Sequence, residues 1–124
     1  MTVDQESVFE KARAMLSRCV PPFVVIKDEP GDYQLTSPKP VTIGKRKLDS
    51  VWFAGLTTTK TGVTLHFMPV YGDPKMAGKL SPVFMKTLKG KACFHLGNFP
   101  AELAAATEAA LELGVEAYRA RGWL

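Results

Sequence analysis

The chain has 124 residues, 46% of them hydrophobic and 23% charged, with a formal net charge of +4. That length fits one domain, taken here as residues 1–124, and can bury roughly two-thirds of its unfolded surface on a single core. No apolar run approaches the roughly 20 residues that would span a bilayer, and the acidic start MTVDQESVFE lacks an apolar signal region, so the cytoplasm is the expected compartment.

The first element reads as a helix. Thr2 can cap it, with Gln5 at the capping-box position, and Phe9, Ala12, Leu16 and Cys19 form one apolar stripe up to Pro21-Pro22. FVVIKD (23–28) and YQLTS (33–37) flank the turn residues EPGD and read as a hairpin. SPKPVTIGKRK reads as a surface loop, with a short extended piece at Val41–Ile43, because two prolines and four cations suit no central strand. SVWFAGLTT (50–58) and GVTLHFMP (62–69) read as a second hairpin. On the latter, Val63, Leu65 and Phe67 share one face, while Thr64, His66 and Met68 share the other.

Asp73-Pro74 and Ser81-Pro82 each give a cap followed by a first helical residue, which predicts two short helices, the second running through VFMKTLK to Gly90. KACFHL (91–96) reads as a strand with Ala92, Phe94 and Leu96 on one face and Lys91, Cys93 and His95 on the other. The longest helix runs from about Pro100 to Arg121, stopped by Gly122, with Trp123-Leu124 docking back on the core. This order predicts an α+β fold: a mainly antiparallel sheet of about five strands with N- and C-terminal helices packed on it.

Cys19 and Cys93 lack metal-type spacing and read as free, buried, inert thiols in apolar surroundings. His66, Cys93 and His95 sit on the less apolar faces of their strands, where two imidazoles and a thiol could meet and bind a soft or borderline metal if the strands are neighbours; hydrogen-bonded packing or a solvent contact is the more usual role of a sheet histidine. Tyr71 and Asp73 stand where sheet hands over to helix; Asp73 reads as a helix cap and Tyr71 as a cover for the sheet end. The carboxylates of Glu6 and Glu10, and of Glu108, Glu112 and Glu116, form lines along helix faces and read as solvated. The basic stretch 39–47 and Lys75, Lys79, Lys86, Lys89 and Lys91 lack interleaved aromatics and a glycine-rich phosphate cradle, so nucleic-acid binding is not expected. No nucleophile motif, phosphate loop or HExxH or CxxC pattern points to an enzyme.

The segments WFAGLTTTKTGVTLHFMPVYGDP (52–74), LSPVFMKTLKGKACFHL (80–96) and the terminal AYRARGWL resemble the small bacterial YdhG-like domain of unknown function, grouped with YjbR-like and CyaY-like folds. The resemblance covers residues 50–124, and the pair MPVYGDP and GKACF is its most specific part. His95 stands where that family commonly has asparagine. The resemblance implies a non-enzymatic domain without a cofactor, binding a small ligand or a protein on the sheet face near His66, Tyr71, Cys93 and His95. A homodimer is expected from the apolar surface of Trp52, Phe53 and Met68. The alternative it implies is a frataxin-like iron chaperone, with Asp4, Glu6 and Glu10 as the metal ligands.

Overall fold

The computed structural model describes residues 2–71 and 73–124. Thr2 and Gln5 form the expected capping box: Gln5 N donates to Thr2 Oγ1 (3.1 Å) and Thr2 N to Gln5 Oε1 (3.1 Å). Helix α1 (Val3–Ser17) then buries Val8, Phe9, Ala12 and Leu16. It stops earlier than its apolar stripe suggests. Arg18 caps it, and Cys19 lies buried in the following turn, held by a 2.9 Å bond from its N–H to Leu16 O.

Strands β1 (Val24–Glu29) and β2 (Asp32–Thr36) form the first hairpin. Pro30 and Gly31 make its two-residue turn; Gly31, at φ +78°, takes the position that a type II turn reserves for a positive φ. A register shift between Val25 and Lys27 interrupts the pairing around Ile26, whose side chain is 60% exposed. β1 is one outer strand of the sheet, and such an irregularity discourages another chain from adding to it.

The expected loop over 37–47 holds a second, separate hairpin: its expected extended piece, β3 (Val41–Ile43), pairs with β4 (Arg46–Leu48). Two prolines and four cations rightly excluded it from the main sheet, yet the Gly44-Lys45 turn still lets the chain fold back, with Gly44 at φ +60°. Its base is clasped: Ser37 N and Thr36 Oγ1 donate to Val51 O (2.8 and 3.0 Å), and Val51 N donates to Ser37 Oγ (2.8 Å).

β5 (Trp52–Thr59) and β6 (Gly62–Phe67) form the long central hairpin. A 3-10 turn (Met68–Val70) leads toward α2 (Pro74–Lys79) and α3 (Pro82–Met85). α3 is shorter than the sequence suggests. Residues after it pair instead with β7 (Cys93–His95), through Lys89 N to Cys93 O (2.7 Å) and His95 N to Thr87 O (2.9 Å). Helix α4 (Ala101–Ala120) closes the chain. Gly122, at φ +77°, ends it, and Trp123 docks edge-on against Tyr118 at 4.9 Å.

The main sheet is antiparallel, in the order β1-β2-β5-β6-β7. The fold is therefore the expected α+β single layer of sheet with terminal helices. Among the described residues, α1, α2, α3 and α4 each contribute buried residues to one hydrophobic cluster on one sheet face. Through it runs a line of rings: Phe23 stacks on Phe53 (3.8 Å), Phe53 and Phe84 meet Phe67 edge-on (6.1 and 5.9 Å), and Phe84 stacks on Phe94 (4.1 Å). Each such buried ring contributes about 1.5–3 kcal/mol by area alone. Gly114 lets α4 come down on this line, since a Cβ there would stand 2.9 Å from Phe67 and 3.0 Å from Phe53. Among the described residues no helix is long and apolar enough to cross a membrane.

Candidate functional site: the helix-free sheet face

Strand alternation sends every second side chain away from the helices. The register then sorts those side chains into two rows. Lys27, Gln34, Gly55, His66 and Cys93 pair successively across the five strands, and beside them run Glu29, Asp32, Thr57, Thr64 and His95. β6 and β7 are neighbours, so the conditional meeting of His66 and Cys93 is realised: they are direct partners in the ladder.

Two hydrogen-bonded chains tie the rows together. In the first, Trp52 Nε1 donates to Gln34 Oε1 (2.9 Å), Gln34 Nε2 donates to Asp32 Oδ1 (2.8 Å), and Lys27 Nζ pairs with Asp32 Oδ2 (2.8 Å). The hydrogen bond from Lys27 holds the Asp32 carboxyl below the usual carboxylate range. Gly55 provides the space for this chain. A Cβ there would overlap Gln34 Oε1 and Cδ outright, so only glycine lets the carboxamide lie flat on the sheet.

In the second chain, Thr57 Oγ1 lies 3.0 Å from His66 Nε2, and Cys93 Sγ lies 3.4 Å from His66 Nδ1. The Trp52 indole tilts against the His66 ring, with centroids 5.6 Å apart. Half-burial among these neighbours lowers the His66 pKa; the nearby Asp32 charge opposes that shift, and His95 adds to it. His66, Cys93 and His95 are all half-buried.

Both thiols are free, as expected, and Cys19 is buried in apolar surroundings that push its pKa up to about 11. The structure corrects only the expected burial of Cys93, which is half-buried and faces the His66 imidazole.

Tyr71 is placed elsewhere. It stands 54% exposed at the end of the 3-10 turn, with Lys91 Nζ 5.9 Å from its ring centre, rather than covering the sheet. With Val70, Asp73, Pro74, Met85 and Lys91 it borders an open depression of 470 Å³ that includes none of His66, Cys93 and His95. Asp73 caps α2 as expected, accepting from Lys75 N (3.1 Å) and Met76 N (3.2 Å), and its other oxygen pairs with Arg121 (2.8 Å). Gly72 lies outside the described residues.

The acidic residues of α1 are divided between two places. Asp4 borders a depression with Lys11 and Asn98, whereas Glu6 and Glu10 border another with Arg13 and Asp28. Asp28 is bound there by a two-pronged contact from Arg13 (2.7 and 3.2 Å). Among the described residues no three His, Cys, Asp or Glu side chains are placed to hold a metal ion. Phe53, one of the three residues expected to supply dimer surface, is wholly buried, and Met68 packs against the core, so Trp52 alone keeps substantial exposure at 37%.

Sequence reasoning missed Gln34, Asp32 and Thr57. The signal was Gly55, a glycine inside a strand with no turn to explain it, which marks close approach by another group. No family model matches the chain, and no curated protein or solved structure matches it.

Proposed function

We propose that this chain is a small non-enzymatic binding domain of the YdhG-like kind, and that it takes a protein partner on its helix-free sheet face with Trp52 as the anchor. The kinship rests on the sequence resemblance of MPVYGDP and GKACF alone; in the fold these two segments are neighbours, with Tyr71 and Lys91 bordering one depression. The face around His66 borders none of the depressions described above, which suits a protein surface better than a small molecule needing a concave pocket.

The observation that carries the reading is the pair of chains Trp52–Gln34–Asp32–Lys27 and Thr57–His66–Cys93. Side chains already held in one rotamer lose little further freedom on association; otherwise each costs about 0.5–1.5 kcal/mol. A partly exposed tryptophan ringed by polar groups is also the usual anatomy of an interface centre.

The test compares capture from cell extract by wild type, Trp52→Ala and the remote α1 variant Glu10→Ala, with light scattering on each. A protein retained by wild type and Glu10→Ala but lost with Trp52→Ala supports the reading. Retention unaffected by Trp52→Ala sinks it, and a wild-type dimer that Trp52→Ala dissociates replaces the partner with a second copy of the chain.

A further inference from the structure

We propose that Cys93 is a nucleophilic thiol, activated by His66 with Thr57 as its orienting group, and that it forms mixed disulfides with low-molecular-weight disulfides. This goes beyond the binding reading and stands without it.

Three side chains on two neighbouring strand pairs stand in the order nucleophile, base, orienter. Cys93 Sγ is 3.4 Å from His66 Nδ1, and His66 Nε2 is 3.0 Å from Thr57 Oγ1. That order is the general signature of an activated nucleophile. In the tautomer protonated at Nε2, the imidazole donates to Thr57 Oγ1 and turns the Nδ1 lone pair toward the thiol. The sheet register fixes all three positions, because Gly55 and Cys93 flank His66 in the ladder and Thr57 lies two residues along from Gly55.

A general base must be unprotonated before it acts. Half-burial favours the neutral imidazole of His66. The charged and titratable groups facing it are Lys27 and Asp32 from the far strands and His95 and Cys93 from β7. Cys93 is only half-buried and lies on an outer strand of the sheet, the side from which a reagent would approach.

The step balances. The Sγ proton passes to His66 Nδ1, and the thiolate attacks one sulfur of a disulfide R–S–S–R. The Cys93 S–S–R bond forms as the reagent's own S–S bond breaks. The electron pair leaves on R–S⁻, which takes a proton from the imidazolium and departs as R–SH. Cys19 lies in the core on the helix side of the sheet, where it cannot resolve the adduct, so the mixed disulfide persists until an external thiol removes it.

Oxidised glutathione is the probe, and intact-mass and peptide-mapping spectrometry the readout. Folded wild type is expected to gain one glutathione per chain, at Cys93, with Cys19 unmodified. An unassisted thiol is ionised to only a few per cent at neutral pH, so full activation is worth at most roughly 30-fold in thiolate, less the nucleophilicity lost with basicity. His66→Gln should therefore slow the reaction about fivefold or more, Thr57→Val should slow it in the same direction, and all three chains should react alike in denaturing urea. An adduct at Cys19, no adduct on folded wild type, or undiminished reaction in His66→Gln overturns the proposal. Should His66→Gln fail to fold by circular dichroism, the wild-type pH–rate profile decides. A rate that rises only with the ionisation of an ordinary thiol refutes activation, and one already high near neutrality upholds it.

Discussion

Replacing Gly55 with alanine tests whether the polar face is built on the missing side chain. The new methyl would overlap Gln34 Oε1 and Cδ and stand 2.8 Å from Nε2. All three atoms belong to the far end of a flexible side chain, so Gln34 swings away and the backbone stays. Two hydrogen bonds go with it, the 2.9 Å bond from Trp52 and the 2.8 Å bond to Asp32. Bonds of this kind are worth about 0.5–1.5 kcal/mol each, and at a half-exposed site the freed groups regain water, which puts the loss near 1–2 kcal/mol. Against this, alanine loses less chain entropy on folding than glycine by about 0.4–1 kcal/mol, and Gly55 does not have the positive φ that would cancel that gain. The expected net destabilisation is therefore small, about 1 kcal/mol in urea unfolding. The indole N–H resonance of Trp52 should move strongly in the amide-proton spectrum, while that of Trp123 stays. An unmoved Trp52 resonance would refute the argument, because Gln34 would then not have been holding it. A loss of 3 kcal/mol or more would refute it from the other side, by showing that the backbone had to give way.

Three further outcomes follow from the packing and the charges. Gly114→Ala forces a methyl to within 2.9–3.0 Å of Phe67, Pro69 and Phe53, an overpacking of about 1–3 kcal/mol that outweighs the ~1 kcal/mol gain in helix propensity; Gly78→Ala, with open space around it, should instead stabilise in the same thermal or urea melts. Because His66 has a lowered pKa in the fold, the unfolded chain binds the proton more readily, so wild type should lose stability relative to His66→Gln as pH falls below about 6.5, with no difference in slope at pH 8. Asp73→Ala should cost about 1 kcal/mol through the lost cap of α2, whereas Asp73→Asn, which keeps an acceptor, should cost less than half of that, as measured by chemical denaturation.

What could be read in the sequence was what local physics decides. The alternation Val63, Leu65, Phe67 against Thr64, His66 placed every one of those side chains on its observed face, and the Thr2–Gln5 and Asp73 caps form as their spacing demands. Where local and tertiary effects compete, the reading slipped. The helical pattern after Ser81 continues past Met85, but residues 87–89 gain more from hydrogen-bonding to β7 than from another turn of helix. The hairpin at 41–48 has no apolar alternation to announce it, because only Val41 and, in part, Leu48 are covered. The polar face was half legible: parity put His66, Cys93 and His95 on one side of their strands, but strand order is a non-local property, so neither the adjacency of β6 and β7 nor the contribution of Thr57 and Gln34 could be seen.

The clasp formed by Thr36, Ser37 and Val51 has a consequence for how this chain tolerates change. The main sheet is sewn shut at that neck before residues 38–50 begin, and none of its rungs is supplied by them. Closing a longer excursion costs only about 0.6 kcal/mol for each doubling of its length. The segment's exposed Gly44-Lys45 turn therefore works as an interchangeable tip: a foreign peptide or an epitope spliced in there would ride on the scaffold and leave the buried Val41 in place.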